Sequence, residues 1–275
     1  QMSQLSQDHD LPPILHINKF SLESFAATYQ KHLMHISIKP QSLPGRLPLS
    51  LIAIIDVSLS MNSDASIPIP QIENSSLTRI QLVQYSLKTI LSVLGDEDSI
   101  TLITFNKMPH LKFQQEKLTV EAKSKVNDII DNLVSSGSTN LWKALEIGVD
   151  QAIKENTTRK SSENSDELFV RNTSLLVFTD GKQNITPPGG IIAALSEKVK
   201  DVNGHLTIST FGFGYDIDAG LLEDIAEVGN GVFGFIPDAT MVGTILINYL
   251  SSIISMITPS AVLTVTSEKV EERYV

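Results

Sequence analysis

Five oxygen-bearing side chains in three separated stretches of the sequence carry its strongest chemical signal. Asp56, Ser58 and Ser60 alternate at the end of the apolar run LSLIAIID, Thr139 lies in GSTN, and Asp180 ends the apolar run TSLLVFTD. Carboxylate and hydroxyl oxygens are hard ligands, and the set contains neither sulfur nor imidazole. The residue types therefore predict a site for Mg²⁺, with Mn²⁺ or Ca²⁺ as alternatives, rather than for zinc or copper.

The spacing of the first three residues has a geometric reason. Every second side chain of an extended chain points to the same side, so Asp56, Ser58 and Ser60 are expected to face one side of an extended turn. Neutral hydroxyls leave the charge of a magnesium ion partly uncompensated, and the ion takes about six oxygen ligands, some of them exchangeable waters. We expect a further anionic ligand, with a carboxylate of a partner protein as the obvious source.

The elements that would position these residues alternate along the chain from Leu49 onward. Strand-like apolar runs lie at 50–56, 99–105, 173–180, 205–214 and 231–236, with a short antiparallel edge candidate at 111–113. Helix-period segments lie at about 77–94, 122–133, 141–152, 191–202, 219–228 and 238–256. This alternation predicts an α/β fold, namely a doubly wound, mostly parallel sheet with helices on both faces. Ligands of such sheets bind at the carboxyl ends of the strands, where Asp56 and Asp180 lie.

Three regions are predicted along the chain. Residues 1–48 form a tail with one strand, at about 32–39, of a flanking β-sandwich; residues 49–257 form the α/β domain; residues 258–275 add the C-terminal strand or strands of the partial sandwich. The alternating segments 32–39 and 261–270 could pair with each other in a separate antiparallel sheet. The polar stretch 154–167 is expected to be a mobile surface insertion.

Composition restricts the function classes. The 275 residues include 21 basic and 31 acidic side chains, a net charge of -10, which argues against a nucleic-acid partner. The absence of cysteine excludes disulfides and thiolate metal sites. The longest apolar run, 241–257, is interrupted by polar residues at helical spacing and predicts an amphipathic helix, not a membrane span. The compartment stays open, although the N-terminal composition and a glycosylation sequon at Asn184, beside the predicted site, slightly favour the cytoplasm.

The three segments together resemble the metal-ion-dependent adhesion site (MIDAS) of von Willebrand factor type A (vWA) domains. DVSLS at 56–60, the Thr139 segment and TDG at 179–181 occur in the family's order and at family-like separations. The resemblance covers about 49–257. The stretch 209–236 is further similar to eukaryotic intracellular members, in which the domain is joined to a β-sandwich and sometimes to Hint-like or ubiquitin-ligase modules.

The resemblance assigns a role to each residue of the set. It implies that Ser58, Ser60 and Thr139 contact the metal. Asp56 and Asp180 would hold it directly or through water, and the sixth position would be left for a ligand's Glu or Asp. Members commonly have glycine where this chain has Leu59, a departure that bears on loop geometry and metal affinity and could add an apolar contact beside the metal.

The sequence thus predicts a non-catalytic, metal-dependent module that binds a protein ligand and flanking domains of the same polypeptide. Two alternatives remain open. A Mg²⁺-dependent phosphohydrolase would use Asp56 as nucleophile, but the general acid expected two residues later is replaced by Ser58. An intramolecular scaffold would have its site covered by a neighbouring domain. Structural roles are also open, since Asp56, Asp180 and Thr139 could each cap a helix.

Overall fold

The structure is a computed structural model that describes two units of the chain. The first unit comprises residues 47–256 and the second comprises residues 1–46 with 257–275. Described in the first unit are residues 47–65, 77–115, 117–161, 172–202 and 205–255. In the second unit the backbone of five strands is described, at 14–15, 22–30, 33–40, 263–266 and 271–274.

The strands and helices alternate in chain order as the sequence predicts. The strands are β1 (Ile14–Leu15), β2 (Leu22–Gln30), β3 (Leu33–Pro40), β4 (Leu49–Asp56), β5 (Ser99–Phe105), β6 (Pro109–Gln115), β7 (Asn172–Thr179), β8 (Leu206–Phe213), β9 (Asn230–Ile236), β10 (Leu263–Thr266) and β11 (Glu271–Tyr274). The helices are α1 (Arg79–Val93), α2 (Val120–Asp131), α3 (Leu141–Ser161), α4 (Ile191–Val199), α5 (Ala219–Val228) and α6 (Ala239–Ile254). A 3₁₀ turn spans Leu59–Asn62.

Six of the strands form one sheet in the order β6-β5-β4-β7-β8-β9. Neighbouring strands are parallel except for β6, which is the antiparallel edge that the sequence predicts. The chain proceeds from β4 toward one edge and from β7 toward the other, so strand order reverses between these two neighbours. The predicted doubly wound α/β fold is confirmed, and Asp56 and Asp180 lie at its topological switch point.

Both faces of the sheet are covered, which explains why β4 reads as a continuous apolar run. Leu51, Ala53 and Ile55 pack into the core layer that contains α1, α2 and α6. Ile52 and Ile54 point the other way, into the layer that contains α3, α4 and α5. Alternate side chains of a doubly covered strand are buried on both sides, so the hydrophobic period of two disappears from its sequence.

Two helix boundaries matter for the site and for the predictions. Thr78 caps α1 through a capping box, in which its hydroxyl accepts from the backbone of Gln81 and the Gln81 side chain accepts from the backbone of Thr78.

Helix α3 continues to Ser161, so the prediction of an insertion beginning at 154 is wrong up to that residue. The remainder, 162–167, lies outside the described residues.

The strands of the second unit pair differently from the prediction. β3 pairs antiparallel with β2, whereas β10 pairs antiparallel with β1 and β11. The described strands of the two predicted segments therefore lie in different sheets. Strands β1, β2 and β11 lacked a signal in the sequence analysis. None of the helices in the described part of the chain combines the length and the apolar character needed to cross a membrane.

Candidate metal centre

Asp56 joins the tips of the two central strands. It is the last residue of β4 and is fully buried. Its Oδ1 accepts a hydrogen bond from the Ser58 backbone N at 2.8 Å, and its Oδ2 accepts one from Thr179 Oγ1, at the end of β7, at 2.6 Å. Both carboxylate oxygens are thereby oriented by neutral donors. Asp56 does not cap an α-helix, so its predicted structural alternative does not hold.

Burial makes ionisation of this carboxyl group costly. Desolvation raises the pKa of Asp56 to about 6, against the hydrogen bonds from Thr179 and Ser58, which lower it. The nearby charge of Asp180 adds to the increase in this pKa. A bound cation favours the ionised form of a neighbouring carboxylate and releases its proton. A divalent cation bound beside Asp56 would therefore stabilise the ionised form of this carboxyl group.

The loop after β4 brings the two serine hydroxyls together by a route that the sequence analysis did not predict. Ser58 has an extended backbone, but the 3₁₀ turn begins at Leu59, so the predicted extended turn through Ser60 is wrong. The turn nevertheless places Ser58 Oγ and Ser60 Oγ 3.0 Å apart. Among the described residues other than glycine, a positive φ occurs at Asn230 alone. Leu59 therefore does not need the freedom of glycine, and its side chain is 64% exposed.

Thr139 is clamped by Asn184, which follows β7 in the chain. The Thr139 backbone N donates to Asn184 Oδ1 at 2.8 Å, and the Asn184 backbone N donates to the Thr139 carbonyl at 3.0 Å. The cap of α3 is supplied by Asn140, whose Oδ1 accepts from the Lys143 backbone N at 3.2 Å. The interpretation of Thr139 as the cap is therefore wrong. Thr139 itself is buried.

Backbone hydrogen bonds join the loop after β4 to the loop that precedes α3. The Leu59 N donates to the Gly137 carbonyl at 3.0 Å, and the Ser136 N donates to the Val57 carbonyl at 2.7 Å. Asn106, which follows β5, adds a side-chain bond from Nδ2 to the Ser136 carbonyl at 3.0 Å. The segment that carries Thr139 is thus fixed to the segment that carries the two serines.

Asp180 follows β7 directly and is fully buried. Its Oδ1 accepts from the Lys182 backbone N at 3.1 Å, and its Oδ2 accepts from Arg79 Nη1 at 2.6 Å. It does not cap a helix, since α4 begins at Ile191. Unlike Asp56, this carboxylate is paired with a buried cation.

Arg79 and Asn184 are the residues of this region that the sequence analysis missed. Asn184 was noted for its sequon alone. Arg79 gave a signal that could have been used, because it is the first residue of α1, where the helix dipole disfavours a cation. A buried arginine at that position requires a carboxylate partner.

Asp56 ends β4, and the other four predicted residues lie on the loops after β4, before α3 and after β7, at the carboxyl end of the sheet. The donors of these five residues fit a divalent cation. Within the described ranges, no group of three or more His, Asp or Glu side chains is arranged to hold a metal. A cation bound here would take oxygens from hydroxyl groups as well as from the two carboxylates. Hard oxygen donors of this kind suit Mg²⁺, Mn²⁺ and Ca²⁺.

The clamp on Thr139 gives a first testable prediction. Asn184→Ala removes the acceptor for the Thr139 backbone N, so we expect the affinity for Mn²⁺, measured by calorimetry, to fall about tenfold. The control is Asn132→Ala, which removes a side-chain bond to the Asp128 carbonyl at the end of α2 and should leave the affinity unchanged. Equal affinities of the Asn184 variant and the parent protein would show that the clamp does not position a ligand.

Comparisons with known proteins agree with this architecture. The uncharacterized protein YfbK of Escherichia coli strain K12 is 27% identical over 234 residues, which are 82% of this chain and 35% of that protein. The von Willebrand factor type A structure from Catenulispora acidiphila is 15% identical with a TM-score of 0.58, covering 90% of this chain and 52% of that one. Proximal thread matrix protein 1 from the mussel byssus, with a zinc-occupied MIDAS motif, is 16% identical with a TM-score of 0.50, covering 75% and 48%.

The chain therefore spans about a third to a half of the length of these similar proteins. The two structural similarities concern the fold, since both lie at low sequence identity. The sequence model of the von Willebrand factor type A domain matches residues 51–246, which is well over half of the chain. This chain belongs to the von Willebrand factor type A domain family.

Proposed function

We propose that this vWA domain is a non-catalytic module that holds a divalent cation and uses it to bind a glutamate or aspartate of a partner protein. The proposed ligands of the cation are Asp56, Ser58, Ser60, Thr139 and Asp180. The observation that carries the proposal is the junction of β4 and β7, where Thr179 bonds to Asp56 and the hydroxyls of Ser58 and Ser60 lie 3.0 Å apart. Such a junction concentrates hard oxygen atoms at the switch point of the sheet.

The choice of cation follows from the donors and from one structural neighbour. Two carboxylates and three hydroxyls favour Mg²⁺, with Mn²⁺ and Ca²⁺ as close substitutes. The mussel protein holds zinc in its MIDAS motif, so zinc belongs among the cations to be compared. With neutral hydroxyls around it, the cation keeps part of its charge for an anionic ligand, and a carboxylate meets that requirement.

The environment of Asp56 argues against a phosphohydrolase. A nucleophilic carboxylate must present an oxygen to the phosphorus atom. Asp56 is fully buried, which leaves little room for a phosphate group beside its oxygens. The residue two positions later is Ser58, whose hydroxyl is too weak an acid to protonate a leaving group. A binding role is therefore the better account of the site.

Members of this family mediate protein–protein interactions, and the partner proposed here is a protein surface with an exposed Glu or Asp. Flanking parts of the same polypeptide are included in this proposal. An intramolecular scaffold, in which a neighbouring domain occupies the site permanently, is an outcome that the experiment below distinguishes, because it would leave Mn²⁺ bound but inaccessible to added carboxylates.

The test follows Mn²⁺ and a carboxylate probe together. Binding of Mn²⁺ is measured by calorimetry, and water-proton relaxation then reports whether N-acetylglutamate N′-methylamide displaces water from the bound ion. We expect one Mn²⁺ site in the parent protein and its loss in Asp180→Ala. The glutamate probe should reduce the relaxation rate, whereas the isosteric glutamine probe should not.

The matched control is Glu197→Gln, which removes one negative charge from the exposed last turn of α4 and should change nothing. Failure of the parent protein to bind Mn²⁺ would refute the proposal. Turnover of p-nitrophenyl phosphate that disappears in Asp56→Asn would favour the hydrolase instead.

Leu59 gives a second prediction, which separates loop geometry from ligand contact. Since its backbone does not require glycine, Leu59→Gly should change the affinity for Mn²⁺ less than about threefold. The exposed side chain should instead contribute to a ligand with apolar neighbours, so the affinity for acetyl-Leu-Glu-Leu-amide should fall about threefold to tenfold. The glutamate probe without flanking leucines is the control. A tenfold change in metal affinity would contradict this assignment.

A further inference from the structure

Arg79 is a buried cation at the rim of the proposed metal site. Its side chain is 5% exposed, and its Nη1 lies 2.6 Å from Asp180 Oδ2. Its Nη2 lies 3.8 Å from Oδ2 of Asp216, in the loop after β8, and Asp216 also forms an ion pair with Lys182. The guanidinium therefore connects the start of α1 with the loops that follow β7 and β8.

The placement of this arginine is unfavourable in two respects. It is the first residue of α1, where the positive end of the helix dipole repels a cation. Its Nε is buried and has no hydrogen-bond partner among the described residues. A buried donor without a partner costs free energy, and a buried ion pair is often no more stable than an apolar pair of the same volume. Stability alone is thus a poor reason for an arginine here.

The protein provides a specific space for the side chain. Gly214, with φ +79°, is located so that an added Cβ would lie 3.1 Å from Arg79 Nε and 3.3 Å from the Ala65 carbonyl. A larger residue at this position would press on the guanidinium and on the loop that carries Ala65. The position of Arg79 against Asp180 is therefore defined by its surroundings as well as by the ion pair.

The two acidic residues of the proposed site differ in how their negative charges are compensated. Asp56 receives its hydrogen bonds from a hydroxyl and a backbone N–H, whereas Asp180 receives one from a guanidinium. Without Arg79, the two carboxylates would balance the formal charge of a divalent cation, and only the weak shielding by neutral hydroxyls would favour an anion. With Arg79, the same group keeps one net positive charge in a region of low dielectric constant, which attracts an anion.

We propose that Arg79 determines the affinity of the site for carboxylate ligands by keeping the metal-loaded site positively charged. This inference rests on the proposed function and adds the residue that makes an acidic ligand favourable. Arg79 does not touch the ligand in this proposal; it is a positioning residue that acts through Asp180 and through its charge. It lowers the affinity for the cation and raises the affinity for the anion that follows.

A purely structural tie between α1 and β7 predicts a different pattern. If Arg79 only holds the loops in place, its replacement should weaken the binding of the cation and of the carboxylate together. If Arg79 sets the charge, Arg79→Gln should strengthen Mn²⁺ binding and weaken binding of the glutamate probe, each by about tenfold. Arg79→Lys keeps the charge and should therefore change both affinities less than Arg79→Gln does.

Asp216→Asn supplies a test that leaves both residues of the buried pair in place. Asp216 is 72% exposed and reduces the positive charge of Arg79 and Lys182. Its neutralisation should raise the affinity for the glutamate probe about twofold and lower the affinity for Mn²⁺ by a similar factor at low salt, with both effects disappearing at high salt. Glu197→Gln, which makes the same charge change at the end of α4, is the control and should have no effect.

Calorimetry with Mn²⁺ and relaxation measurements with the glutamate probe decide between the outcomes. Opposite changes in the two affinities, in opposite senses for Arg79→Gln and Asp216→Asn, support the proposal. Parallel changes, or an Asp216 variant that matches the parent protein, overturn it, and the Asp216 result decides if Arg79→Gln does not fold. If the parent protein binds Mn²⁺ and the probe but Arg79→Gln and Asp216→Asn change the two affinities in the same sense, this inference alone is refuted. If the parent protein does not bind Mn²⁺, the proposed function is refuted.

Discussion

Replacing Asp56 with asparagine should abolish metal binding and at the same time stabilise the metal-free protein. Loss of the carboxylate should weaken Mn²⁺ binding at least about a hundredfold, because it removes one of the two charged ligands that we propose. The asparagine keeps an acceptor for the Ser58 N–H and a polar partner for Thr179, so the loop should retain its hydrogen bonds. What disappears is the desolvation cost of a buried negative charge.

The pH dependence of this gain follows from the pKa of Asp56, which burial raises to about 6. Between about pH 4 and pH 6 the folded protein binds more protons than the unfolded chain, so stability of the metal-free protein falls as pH rises through this window. The advantage of asparagine should be absent below about pH 4 and complete above about pH 6, where it should reach about 1–3 kcal/mol.

Urea unfolding in EDTA at several pH values measures this effect. Asp131→Asn, an exposed change at the end of α2, is the control and should stay within about 0.5 kcal/mol of the parent protein at every pH. Equal stabilities of the parent protein and Asp56→Asn at pH 7.5 would show that burial of the ionised carboxyl group does not destabilise the fold. Retained Mn²⁺ binding would remove Asp56 from the ligand set.

Replacing Phe178 with alanine should destabilise the domain by about 3–5 kcal/mol. Phe178 is fully buried one residue before Thr179, and its ring centroid lies 5.5 Å from that of Phe211 and 6.1 Å from that of Phe213. Phe211 in turn meets Tyr249 of α6 edge-on at 5.2 Å. Truncation leaves a cavity in this aromatic layer, directly beneath the end of β7.

Chemical unfolding measures the loss, and Phe178→Leu is the matched control, which should cost less than half as much because it fills most of the cavity. Mn²⁺ affinity of the folded variant should change little, since the positions of Asp56 and Asp180 depend on strand pairing and on loop hydrogen bonds. A large loss of affinity without a loss of stability would show that the aromatic layer supports the site and not the core.

The central sheet could be predicted from the sequence because each strand has its own local signal. The runs that end in Asp56 and Asp180 are mostly apolar, a pattern that follows from burial on both faces. The common location of Asp56 and Asp180 could also be predicted, since the carboxyl ends of parallel strands lie at one end of the sheet. The length of α3 could not be predicted, because the polar composition after 154 indicates solvent exposure and does not exclude a helix.

Prediction of the site from the sequence was wrong for local geometry, and its assignment of metal ligands stays a prediction. The alternation of Asp56, Ser58 and Ser60 favoured an extended turn, whereas the structure contains a 3₁₀ turn that begins at Leu59. Contacts between distant segments, such as Arg79 with Asp180, have no pattern in sequence that fixes them. The pairing of β3 with β2 was missed for a related reason, since alternation identifies a strand but not its neighbour.

The backbone bonds that cross between the three loops have a consequence for how fast and how strongly the site can respond. Four main-chain amides, those of Leu59, Ser136, Thr139 and Asn184, donate to oxygens that are not among the proposed metal ligands. The ordering entropy of these segments is therefore lost during folding and not during ion uptake. A cation that binds at such a preorganised site exchanges its bound water for oxygens that are already in position. Its association rate should therefore be limited by the loss of water from the cation.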